Sequence, residues 1–186
     1  MIGTATNATA SHPPMRVTVR NAIETDRAYI MDSWRLGWRL SEECRRMKGR
    51  EYRAVFDDIV RYGVMGQPDT QFLVACSPGD QSWIWGWLCY TPGPVPTIHY
   101  AVVRPHVEND VGGKRDLRRI GLFTRMLAAA GVRRELVYTF RPTERKNETS
   151  KKPMGVEAGL LAAAKRDGIT AVFLPVAEQF LKPRRR

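Results

Sequence analysis

The sequence predicts a single α/β domain built on a mixed central sheet with helices on both faces. Segments with period-two alternation take turns with segments whose apolar residues recur every three or four positions. Three strand-like segments follow one another mid-chain, as an antiparallel meander requires. A strand–helix–strand–helix–strand run closes the chain, and such crossovers need parallel neighbours. The expected order is β-α-α-β-β-β-α-β-α-β.

Residues 1–14 (MIGTATNATASHPP) are small and polar, and read as a flexible leader to a domain over 15–181. Residues 15–20 (MRVTVR) alternate and form the opening strand. Thr25 is placed to cap a helix from Asp26, whose Ile30, Trp34 and Trp38 share one face. A second helix carries Tyr52, Val55, Phe56, Ile59 and Val60 and stops near Gly63. Residues 72–76 and 83–90 flank the turn Ser77-Pro78-Gly79-Asp80. A strand over 97–103 halts at Pro105, and a long polar loop runs from His106 to Arg119. A helix from Ile120 ends at Gly131, with Ile120, Phe123 and Leu127 facing inward. A strand over 135–140, an alanine-rich helix over 154–166 closed by Gly168, and a last strand over 169–176 complete the domain.

At 186 residues the chain can bury a core without staples. Cys44, Cys76 and Cys89 are odd in number and form no CxxC pair, which argues against a zinc ribbon or a disulfide framework and fits a reducing cytoplasm. No apolar run approaches a membrane span. The net charge of +11 has two readings, a solvated basic surface or a polyanionic partner such as nucleic acid or a phosphate-rich cofactor. Its clusters lie around Arg45–Arg53, around Lys114–Arg119 and in the tail 182–186 (Lys182, Arg184, Arg185, Arg186).

The element order resembles that of the GNAT superfamily of acyl-CoA-dependent N-acyltransferases. The residues that carry the likeness are Val103-Arg104-Pro105, then Arg118-Arg119-Ile120-Gly121-Leu122-Phe123 and Met126-Leu127. The chain also resembles GNAT-type proteins of tailed bacteriophages in Ile98-His99-Tyr100, Arg118-Arg119-x-Gly121 and Tyr138-Thr139. The resemblance implies acetyl-CoA, or another acyl-CoA, as donor. Its pyrophosphate would rest on the turn from Arg118 to Phe123, with Lys114 or Arg115 on the ribose phosphate. Pantetheine would slot between the fourth and fifth strands, with the acyl carbonyl near Val102 and Val103. Physically, a glycine turn entering a helix offers unpaired N–H groups and the positive end of the helix dipole, which suits a phosphate.

Two positions depart from the family pattern. Phe123 stands where a glycine or alanine is usual. Ala164 stands where many members carry a tyrosine that protonates the leaving thiolate. His99 is a candidate general base, and Tyr138 a candidate donor in place of the absent helix tyrosine. Trp34, Arg35, Trp38 and Glu42 are candidates for the acceptor side, the tryptophans and Arg35 for stacking on bases and pairing with phosphates. Each has a plainer alternative: core packing for His99, Tyr138 and the tryptophans, solvated surface for Glu42 and Glu43. Trp83, Trp85 and Trp87 read as a core stripe, one of which could line the acceptor pocket. The competing functional readings are a catalytically silent GNAT domain that binds a partner or a virion, and a nucleic-acid-binding module. The acceptor itself, nucleic acid or an acidic protein among the options, is not named by the sequence.

Overall fold

The structure is a computed structural model, described for residues 16–39, 44, 46–104, 106–108, 114–116, 121–140 and 156–174. Strand β1 (Thr18–Asn21) leads through a tight 3-10 turn (Glu24–Asp26) into α1 (Arg27–Arg39). Helix α2 (Gly49–Phe56) continues as a π-helix over Asp57–Val64. Strands β2 (Gln71–Cys76), β3 (Ile84–Thr91) and β4 (Thr97–Val103) follow, then short strands β5 (His106–Glu108) and β6 (Lys114–Asp116). Helix α3 (Leu122–Ala129), β7 (Glu135–Tyr138), α4 (Val156–Arg166) and β8 (Thr170–Phe173) close the described chain.

The main sheet has the order β1-β2-β3-β4-β7-β8. Its first four strands are antiparallel neighbours, and β4, β7 and β8 are parallel. This is the mixed α/β sheet that the sequence predicts. Every residue of β3 except its last is buried, because both sheet faces are covered there. On one face Trp34 of α1 stacks on Tyr100 of β4 at 5.3 Å and approaches Trp87 of β3 at 5.3 Å. Trp87 donates its indole N–H to Ser33 Oγ at 2.8 Å. The other face receives α3: a Cβ built on Gly86 would lie 3.2 Å from Leu122. Helix α4 packs beside α3 and against β4 and β8.

Several elements differ from expectation. The α1 entry is capped not by Thr25 but from Asp26, three residues past the N-cap Ile23: its carboxylate accepts the Ile23 N–H at 2.9 Å while two Arg20 nitrogens hold it at 2.6 and 3.1 Å. In α2 the fully buried positions are Tyr52, Phe56, Val60 and Val64, each four residues from the last. A 3.6-residue turn drifts off such a stripe, whereas the wider π-turn, with Met65 N donating to Val60 O, holds it on one face. Trp83 stands outside β3 and is 57% exposed, so only Trp85 and Trp87 join the core. Part of the expected loop from His106 is a two-stranded ribbon, with His106 opposite Asp116 and Glu108 opposite Lys114. These strands have three residues each and little apolar alternation, so no pattern announces them.

Among the described residues no helix is long and apolar enough to cross a membrane. None of their His, Cys, Asp and Glu side chains gather into a metal-binding group. All three cysteines are buried and none is in a disulfide.

Candidate functional site

The sheet opens in its middle. Among the described residues strand β4 pairs with β7 only at Thr97↔Val137 and Ile98↔Tyr138. Val137 N donates to Pro96 O and Thr139 N to Ile98 O, both at 3.0 Å. Past that point the described contact is a weak bond of 3.4 Å from Thr139 Oγ1 to His99 O. Opposite β3, Cys89 pairs with Tyr100 and Tyr90 with Ile98, so His99 is an extra residue, a β-bulge in β4. Beyond the bulge Arg104 N donates to Trp85 O at 2.8 Å. By alternation Val102 and Tyr100 address β3 as well, and the peptide groups of Ala101 and Val103 turn toward the opening.

Helix α3 begins at this place. Val103 Cγ2 and Leu122 Cδ2 lie 3.1 and 3.2 Å from where a Gly86 Cβ would be, so any side chain on Gly86 would part the helix from the strand. Gly121 is the N-cap, with φ 71°, and as a glycine it has no side chain with which to cap the helix. The first helical bond runs from Arg125 N to Gly121 O at 3.1 Å, which leaves the N–H groups of Leu122, Phe123 and Thr124 outside the helical ladder. Arg166 of α4 reaches the same turn and donates to Thr124 Oγ1 at 2.5 Å. Sequence reasoning missed Arg166 because 42 residues separate it from Thr124, and only the packing of α4 on α3 joins them.

Phe123 points inward and is 6% exposed. A Cβ on Gly159 of α4 would meet its ring at 2.7 Å. The bulky residue on α3 is therefore matched by a missing side chain on α4, and the ring leaves the α3 N-terminus clear. Ala164 is buried in α4 and carries no proton to give.

His99 is 3% exposed, with Nε2 2.8 Å from Thr91 Oγ1 and Nδ1 buried without a hydrogen-bond partner. Burial pushes its pKa down to about 4. The imidazole is therefore neutral at physiological pH and, in this surrounding, a weak base. Tyr138 pairs across the last closed rung of the opening and packs on Phe140 and Phe173. Phe140 in turn packs on Tyr100 at 5.0 Å. Burial raises the Tyr100 phenol above its ordinary value and so keeps it protonated.

The proposed acceptor-side residues divide. Trp34 is 3% exposed, enclosed by Phe56, Phe72, Trp87 and Tyr100, and has no free face for a base. It is a core residue, because the apolar stripe of α1 packs on the sheet. Trp38 is half-buried against Tyr52 and Phe56. Arg35 lies over the Phe56 ring at 5.4 Å with Asp32 at 3.5 Å. Its carbonyl accepts the Tyr52 hydroxyl. Val102 is half-buried and Val103 buried. Glu42, Glu43, Arg118, Arg119, Ile120, the tail 182–186 and the side chains of Lys114 and Arg115 lie outside the described residues.

No family model matches the chain, and no curated protein does. Among solved structures it is similar to a candidate acetyl transferase from Pyrococcus furiosus, at 15% identity and a TM-score of 0.44, over 92% of this chain and 93% of that one. It is also similar to a transcriptional regulator from Bacillus halodurans C-125, at 15% identity and a TM-score of 0.32, over 89% and 85%. At such scores neither likeness bears weight on function.

Proposed function

We propose that the protein is an acyl-CoA-dependent N-acyltransferase of the GNAT kind, with acetyl-CoA as donor. One observation carries the reading: among the described residues β4 and β7 part after two residue pairs, and the N-terminus of α3, with glycine as its N-cap, stands beside Val103 at the opening. An extended pantetheine arm would take the place of the missing strand neighbour, as peptides do at sheet edges. The N–H groups of Leu122, Phe123 and Thr124 would hold the diphosphate, with Arg118, Arg119 and Arg166 adding charge and Lys114 or Arg115 on the ribose phosphate. The thioester supplies an activated acyl carbon. The amine nitrogen would form a bond to it as the C–S bond breaks; the sulfur would leave with the electron pair and take a proton from Tyr138, and the proton lost by the nitrogen would pass to solvent, from which Tyr138 is reprotonated.

The chain's own part is positioning and polarisation. The peptide N–H groups of Ala101 and Val103 would face the acyl oxygen, and Tyr138 would protonate the departing sulfur. His99 keeps its role as proton acceptor only if acceptor binding brings water or a counter-charge to Nδ1. The basic surface suits an acceptor carried on nucleic acid or an acidic protein. A silent, partner-binding domain is the second reading, and buried Ala164 favours it.

Calorimetric titration of the folded protein with acetyl-CoA and with free CoA tests the reading. Micromolar binding is expected. Gly121→Glu is expected to abolish it while the protein stays folded, since a non-glycine residue at positive φ costs about 1–2 kcal/mol. No binding by folded wild-type protein moves the assignment to the silent domain. Unchanged affinity in the variant removes the α3 turn from the site.

Turnover should also show no inflection from His99 between pH 5.5 and 7.5, because its proton is lost near pH 4. An inflection near 6.5 that vanishes in His99→Gln would mean that the imidazole is exposed in the working complex.

A further inference from the structure

A second concavity lies on the α1 face, at the end of β4 next to Val103. It is bounded by the start of α1, the β2–β3 turn and Arg104, and its volume is about 270 Å3. That corresponds to about nine water molecules at roughly 30 Å3 each, smaller than the usual drug-sized pocket.

Its charge is uneven. Arg20 and Asp26 both line it, but they neutralise one another at 2.6 Å. The Asp26 carboxylate also accepts from Ile23 N at 2.9 Å, so three hydrogen bonds already occupy it and its charge is matched by Arg20. Arg104 is different. Its guanidinium lies over the Tyr29 ring, 5.0 Å from the centroid, and its Nε donates to the Tyr29 hydroxyl at 3.0 Å. Among the described residues the terminal nitrogens of Arg104 have no acceptor. Stacking and one hydrogen bond thus fix the plane of the group and leave one edge of the fork unfilled. Carboxylates bind in that way, through two parallel N–H···O bonds. The apolar side chains of Ile23 and Ile84 line the same concavity.

We propose that this concavity is a binding site for a small monocarboxylate with an apolar body, its carboxylate on Arg104 and its body against Ile23 and Ile84. A single uncompensated cation matches one negative charge. A phosphomonoester brings nearly two and would need a second free cation, which Arg20 is not. The site does not depend on the acyl-transfer reading, because neither CoA nor turnover enters its test.

The probe is sodium benzoate, titrated at constant ionic strength into the 15N-labelled chain and followed by NMR, including the arginine Nε–H signals. Saturable shifts are expected at Arg104 Nε and at the amides of Ile23, Tyr29 and Ile84. Arg104→Ala should weaken binding at least tenfold, and Arg104→Lys should not restore it, since an ammonium cannot offer the planar fork. Tyr29→Phe keeps the ring and should weaken binding less. Methyl benzoate, without the charge, should bind at least tenfold more weakly than benzoate. Equal binding by Arg104→Ala, equal binding of the methyl ester, or shifts that scatter without saturation would each overturn the proposal. Tighter binding of inorganic phosphate at the same residues would overturn the carboxylate assignment.

Discussion

Asp26→Ala is expected to cost about 3–5 kcal/mol, the range seen when one partner of a buried ion pair is removed. The two side chains are 17% and 5% exposed. Arg20 joins three segments: it holds Asp26 at the α1 entry, its own strand through Asn21 O, and the β2–β3 turn through Gln81 O at 3.1 Å. Its Nε is already buried without a partner. Without the carboxylate an uncompensated guanidinium would sit in that wall, and Ile23 N–H would lose its acceptor. Arg20→Met combined with Asp26→Ala should recover much of the loss, because the charge that needs a partner is gone. Urea unfolding measures all three proteins; a loss under 1 kcal/mol for Asp26→Ala would mean that the pair is solvated.

The same pair has a pH signature. Hydrogen bonds from Arg20 hold the Asp26 carboxyl below its ordinary value of 3.8. The folded state therefore binds this proton more weakly than the unfolded chain, and the stabilisation is complete above about pH 4 and lost as pH falls through the folded value. His99 acts in a separate window. With a folded value of about 4 against an ordinary 6.5, it makes stability rise with pH between those limits and fall on acidification from 6.5 to 4. Stability against pH should thus decline in two stages, the upper one absent in His99→Gln and the lower one absent in Asp26→Ala.

Phe123→Ala is expected to cost about 3–5 kcal/mol as a large-to-small core change. Gly159→Ala should cost about 1–3 kcal/mol by overpacking, since the new Cβ would press on the Phe123 ring at 2.7 Å. The double variant should be more stable than the sum of the two losses predicts, because the methyl enters space that the ring vacates. Strict additivity would show that the two positions do not share one space, and that the ring has another way to settle.

The alternation in residues 97–103, the caps at Gly131 and Gly168 and the stripe from Tyr52 to Val60 made the element order legible, because each pattern is local. The Gly121 turn came from the resemblance, which read the glycine as room for close backbone approach; its left-handed φ of 71° and a described helix that starts at Leu122 are what the fold adds. What stayed hidden was set by distance in the fold. Nothing near Phe123 in sequence says that Gly159 makes room for it, nor that Arg166 reaches Thr124. The bulge at His99 depends on register with β3, which a single strand does not encode. Trp34 and Arg35 show the opposite error: adjacent residues of suggestive chemistry both pack against Phe56, and the core encloses the tryptophan.

The opening between β4 and β7 also bears on how the molecule comes apart. Among the described residues two rungs, Thr97–Val137 and Ile98–Tyr138, make up the ladder between a four-stranded antiparallel half and the parallel pair β7–β8. Across that seam the halves depend on side-chain packing, chiefly α4 against β4 and α3. The pair and its helix are therefore expected to detach first on unfolding, while the meander keeps its hydrogen bonds. A ligand lying along the seam would supply the missing rungs, and would make the two halves melt as one.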